Sequence, residues 1–131
     1  MLNFALHQIE EITGRIKIFK LSIDGIVAYH AFETEIKKDG TFARELNNVQ
    51  AILEQYAQNK SLPPTKFKEL RGCSDAYTEY EIKTRNLRVY LFKEEKMGSI
   101  ILWGGKKNTQ KKDISTFRGI KKAYIENKKL K

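Results

Sequence analysis

Eight cations in the second half of the chain have the types and spacing to handle a phosphate. Lys83 and Arg85 lie two apart on the polar side of an alternating run, and Arg88 follows past a short turn. Lys106 and Lys107 leave the end of a third apolar segment, while Lys66, Lys68 and Arg71 enter from the loop before all of these. Cleavage of RNA by its own 2′-OH passes through a phosphorane that carries two negative charges. Fixed ammonium and guanidinium donors stabilise that charge. Arginine can also grip phosphate oxygens in pairs, and such fixed donors hold the backbone for in-line attack. A lysine among like charges titrates lower than usual, so it can carry a proton without any histidine.

Other chemistries find no residues to support them. His7 and His30 are the only imidazoles, Cys73 is the only cysteine, and no His/Cys/Asp cluster has a metal-ligand spacing. No glycine-rich phosphate loop is present. Neither a metal nor a cofactor is expected. A length of 131 residues fits one domain, residues 1–131. No apolar run approaches 18 residues, and the opening MLNFALHQIEEITG lacks the basic start and apolar centre of a signal peptide. These features lead to the expectation of a soluble, cytoplasmic protein without a membrane partner.

Charge narrows the partner. The chain carries a net +9, but residues 1–60 hold seven Lys+Arg against eight Asp+Glu, and residues 61–131 hold 18 against eight. Residues 106–131 alone have ten cations and two carboxylates, with Lys111 and Lys112 among the cations. A solvated strand face accounts for single lysines, but not for this concentration. A polyanion partner does account for it.

The elements that must position these residues follow from periodicity. Residues 15–23, with Ile16, Ile18, Leu21 and Ile23, read as a strand ending at Asp24-Gly25. Residues 1–14 fit a helix or an irregular arm on Leu2, Leu6, Ile9 and Thr13, although Thr13-Gly14 could equally close a hairpin. Tyr29, Phe32 and Ile36 place a helix within residues 26–38, stopped by Gly40. Thr41 then caps a second helix with the stripe Phe42, Leu46, Val49, Leu53 and Tyr56. Past Pro63-Pro64 the period becomes two. Tyr80, Ile82 and Thr84 alternate with Glu81, Lys83 and Arg85, a half-buried strand with a charged outer face. Leu87 to Phe92 form the next strand, and Ser99 to Trp103 a strand covered on both faces, ended by Gly104-Gly105. Asp113 caps a last helix carrying Ile114, Phe117, Ile120, Tyr124 and Ile125. The expected class is α+β: a helical hairpin packed on a small twisted antiparallel sheet, with a C-terminal helix.

These residues resemble a known family. The runs Phe67-Lys68-Glu69-Leu70-Arg71-Gly72, Tyr80-Glu81-Ile82-Lys83 and Leu87-Arg88-Val89-Tyr90-Leu91-Phe92 resemble the sheet signature of RelE/HigB-type bacterial toxins. Residues 101–111, Ile-Leu-Trp-Gly-Gly-Lys-Lys-Asn-Thr-Gln-Lys, are similar to the L-H-G-F-x-K-K-T-Q-K segment of the phage-related HigB-like branch. The resemblance covers roughly residues 15–129. It implies a RelE-like fold and the toxin of a type II toxin–antitoxin pair, held by a cognate antitoxin protein. It further implies an endoribonuclease that cuts mRNA on the ribosome, in contact with rRNA. By position it makes Lys83, Arg88 and Lys107 the catalytic cations. Lys66, Lys68, Arg71, Arg85, Lys106, Lys111 and Lys112 are then the expected RNA-binding residues. Trp103 replaces the family's histidine and Gly105 its aromatic, so the general base has no assignment. A ParE-like gyrase inhibitor and a non-catalytic RNA-binding relative are the alternatives.

Overall fold

The structure is a computed structural model that describes residues 2–94 and 96–130. Strands β1 (Phe4–Gln8), β2 (Ile18–Ile23) and β3 (Ile26–Val27) lead into helices α1 (His30–Asp39) and α2 (Ala43–Ala57). Strands β4 (Phe67–Glu69), β5 (Glu79–Lys83), β6 (Leu87–Glu94) and β7 (Gly98–Lys106) follow, then a 3₁₀ turn (Lys107–Thr109) and helix α3 (Gln110–Lys129). Among the described residues the strands form one sheet in the order β1-β2-β7-β6-β5-β4, with β3 paired to β2.

The class is α+β, but the sheet is mixed rather than antiparallel. β2 runs parallel to β7, pairing Ile18 with Ser99 and Lys20 with Ile101. This contact joins residues some eighty positions apart, so no local turn signal announces it. The N-terminal segment also differs from the helix or arm expected. Phe4 to Gln8 pair with Phe19 to Ile23 as an antiparallel edge strand, because Phe4 and Leu6 alternate and pack on the sheet. Asp24 and Gly25, at φ 51° and 85°, turn β2 back into β3, the geometry a two-residue hairpin needs. Ile26 and Val27 therefore belong to the sheet, and α1 begins only at His30.

Each helix buries one stripe. Phe32 and Ile36 of α1 join Val49, Ile52, Leu53 and Tyr56 of α2 against Ile82, Leu87, Val89, Leu91 and Ile101. On the opposite face Phe117, Tyr124 and Ile125 of α3 cover Tyr90, Phe92, Ile100 and Leu102. Residues 99–102 are buried throughout, as expected for a strand between two layers. Burying each large apolar side chain contributes about 1.5–3 kcal/mol, so α3 is as integral to the core as the hairpin. Gly40 takes a left-handed φ of 78° and its N–H bonds Ile36 O, closing α1 where its stripe ends. Thr41 does not cap α2. Its hydroxyl goes to Asp39, and Phe42 occupies the cap position without a side-chain bond.

Candidate nucleic-acid interface

Strand register brings the cations together before any side chain is considered. Lys83 lies directly opposite Arg88, and Arg88 opposite Gly105. Directly opposed residues share a face, so these three form one cross-strand row on the α3 side. Glu81, Tyr90 and Trp103 form the next row inward, and Lys68 extends it from β4. The Lys83 N–H donates to Lys66 O at 2.8 Å, which holds Lys66 beside the row. The Lys107 N–H donates to Asn86 O at 2.9 Å, setting the 3₁₀ turn against the β5–β6 turn. Lys66, Lys68, Lys83, Arg88 and Lys107 thus meet at one end of the sheet.

Two devices fix that end. The edge strand β4 is pinned by stacking of Phe67 on Tyr56 and Tyr80, with ring centroids 4.6 and 4.9 Å apart. The β5–β6 turn is clamped by Glu45 of α2. Its carboxylate accepts from the Thr84 hydroxyl, from Asn86 N–H at 2.7 Å and from Asn86 Nδ2 at 2.8 Å. Burial alone would raise the Glu45 pKa, but these donors hold it below the usual carboxylate value. Arg88 Nη1 donates to Thr84 O at 2.7 Å and Leu87 O at 2.8 Å, leaving the side chain only 13% exposed. Its Nε and the Glu81 Oε1 lie 4.0 Å apart, and neither has a hydrogen bond.

The face beneath is not the charged outer surface that the alternation suggests. Helix α3 covers it, and Glu81 is fully buried. Gln110 donates to the Glu81 Oε2, while Trp103 Nε1 donates to Asp113 Oδ1 at 3.1 Å and Thr109 to Asp113 Oδ2 at 2.6 Å. Asp113 is therefore no cap: α3 already starts at Gln110, and the carboxylate ties the helix to β7. Gly104 and Gly105 lie inside β7 rather than ending it. A Cβ on Gly104 would meet the Phe32 ring at 2.6 Å, and one on Gly105 would meet Asp113 at 1.9 Å. Bare backbone lets both helices close on the strand. The Tyr90 hydroxyl, buried without a partner, titrates far above its usual value, through burial and then through Glu81 and Asp113.

Not every cation named from the sequence reaches this end. Lys106 sits opposite Leu87 and so lies on the α1–α2 side, its Nζ 3.8 Å from Asp39 and over the Phe42 ring. Arg71 follows β4 beside Glu79, roughly 13 Å along β5 from Lys83, and its carbonyl accepts from Arg118. Arg85 is exposed in the β5–β6 turn, and Lys111 and Lys112 are exposed on the first turn of α3.

Comparison with models of protein families, with curated proteins and with solved structures finds no match to this chain. Among the described residues no group of His, Cys, Asp and Glu is placed to hold a metal ion. None of the helices there is long and apolar enough to cross a membrane. The residues sequence reasoning missed are Glu81, Tyr90, Gln110 and Asp113. One signal for them existed: a strand apolar on both faces demands a cover on each, and α3 was the only element left to supply it.

Proposed function

We propose that the chain is a RelE/HigB-like toxin that binds mRNA on the ribosome and cleaves it by 2′-OH attack. The observation that carries this reading is the Lys83–Arg88 cross-strand pair, with Lys66, Lys68 and Lys107 gathered at the same sheet end. In this reading β4–β7 and the α1–α2 hairpin form the RelE-like core, and a cognate antitoxin neutralises the cationic end in the resting cell. Lys83, Arg88 and Lys107 stabilise the dianionic phosphorane. Glu81 is sealed from solvent and works as a positioning residue beside Arg88.

The test is growth on controlled induction in bacteria. Wild type arrests growth, and Lys83→Ala and Arg88→Ala at equal soluble levels do not. Arrest by both variants at the wild-type level overturns the reading, and growth arrest with inhibited gyrase would assign the ParE-like mode instead. A second reading, RNA binding without cleavage, is favoured by one observation. Arg88 Nη1 is already bonded to two backbone carbonyls, and the Trp103 N–H is taken by Asp113.

A further inference from the structure

The sheet has a second cationic end. Arg15 and Lys17, from the half of the chain that is neutral overall, meet Lys93 and Lys96 across a groove of about 350 Å³ at the β6–β7 turn. Ile16, Phe19 and Met97 also line it, and Met97 is 43% exposed. The groove is built rather than incidental. Ser99 N–H donates to Lys17 O at 2.9 Å, and a Cβ at Gly98 would lie 2.3 Å from that same oxygen. Lys17 is thereby locked against the turn that carries Lys93 and Lys96.

Its charge is unmatched. Six cations of the fold are held in ion pairs: Lys20 with Glu33, Arg88 with Glu81, Lys106 with Asp39, Arg118 with Glu79, Lys121 with Asp75 and Glu79, and Lys128 with Glu94. Arg15, Lys17, Lys93 and Lys96 make no ion pair among the described residues. Glu94, in the same turn, is buried, ion-paired with Lys128 at 2.8 Å and accepting from the Lys96 backbone N–H at 3.1 Å. Glu95 lies outside the described residues, and its one charge still leaves a net of three positives. Four exposed cations around an apolar floor suit a sugar–phosphate backbone, with phosphates on the rim and a ribose or base against Met97. An acidic peptide would find the cations but little use for the floor.

We propose that this groove is a second RNA-backbone site, separate from the Lys83–Arg88 end and contacting structured RNA without acting on it. The two ends lie five residue steps apart along β6, about 17 Å, with Arg88 and Lys93 on opposite faces of the strand. The proposal rests on the reading of the chain as an RNA-binding protein, not on cleavage.

The experiment is fluorescence anisotropy of the full chain with an RNA hairpin, titrated across salt concentrations. Wild type binds with a steep salt dependence. The variant Arg15→Ala/Lys17→Ala/Lys93→Ala/Lys96→Ala, altered only at exposed positions, binds at least tenfold more weakly at 0.1 M salt, with the log–log slope shallower by about 3. Arginine at the three lysine positions restores both. If wild type binds the hairpin and the alanine variant matches its affinity and slope, the groove proposal fails alone. If wild type does not bind RNA at all, the RNA-binding reading fails with it. Binding of polyglutamate at the groove without binding of the hairpin overturns the proposal in favour of an acidic protein partner.

Discussion

Lys83 and Arg88 face each other directly across β5 and β6, two like charges in one cross-strand pair. Like charges so placed are destabilising. Glu81 offsets only part of that repulsion, as an ion pair 4.0 Å from Arg88 Nε without a hydrogen bond. A phosphate bound across the pair would relieve them.

Lys83→Glu is therefore expected to stabilise the free protein, by about 0.5 kcal/mol, while weakening RNA binding. Urea unfolding and anisotropy on the same preparation check both signs. A variant that loses stability contradicts the strain at this pair.

Lys121 looks in the sequence like one more cation of a basic tail, yet it is 1% exposed and bonded to Asp75, Glu79 and Tyr77 O. Burial works against its charge, but Asp75 and Glu79 raise its pKa above the ordinary value of 10.5. Burial likewise opposes the Asp75 charge, and the Lys121 bond holds that carboxyl below 3.8. The stability Lys121 contributes is full below 10.5 and is lost as pH rises through its raised folded value. The Asp75 share is full above 3.8 and is lost as pH falls through its depressed one. Lys121→Met leaves Glu79 short of a partner and costs about 3 kcal/mol at neutral pH. Denaturant midpoints between pH 3 and 11 should show a flatter profile for the variant.

Gly105→Ala sets a Cβ 1.9 Å from the Asp113 carboxylate. Overpacking of this kind costs about 1–3 kcal/mol and pushes the start of α3 off β7. Thermal unfolding measures the loss, and Gly105→Ala/Asp113→Ala recovers part of it. A Gly105→Ala protein as stable as wild type would show that the helix is not held this closely.

Glu45→Gln loosens the β5–β6 turn, with a loss of about 1.5 kcal/mol. Because the Glu45 pKa is lowered in the fold, its contribution is present above the ordinary carboxylate value of 4.5 and disappears as pH falls through the depressed folded value. Wild type and variant should converge in stability at acid pH. Hydrogen exchange at Asn86, whose N–H the carboxylate accepts, quickens in the variant at pH 7.

Local periodicity carried much of this architecture. The 4-3-4-3 stripe of α2, the alternation of β5 and β6 and the apolar run of β7 each needed only neighbouring residues to be read. What escaped were relations between distant residues. The parallel β2–β7 pair has no local signature, and Phe4–Gln8 is too short for its period to separate strand from helix. At the site, the Lys83–Arg88 pairing followed from a short turn. The burial of Glu81 under α3, and the turn of Lys106 to the other face, depended on packing and on a register shift between Tyr90 and Leu91. Asp113 is not the cap because a 3₁₀ turn at Lys107–Thr109 leads straight into the last helix, whose cap position is Thr109, four residues before Asp113.

Mapping mRNA 5′ ends after brief induction shows whether the Lys83–Arg88 end cleaves mRNA. Cleavage at this end gives new ends within coding regions for wild type and none for Lys83→Ala or Arg88→Ala at equal protein levels. A growth arrest without new ends, or new ends that persist in both variants, would contradict it.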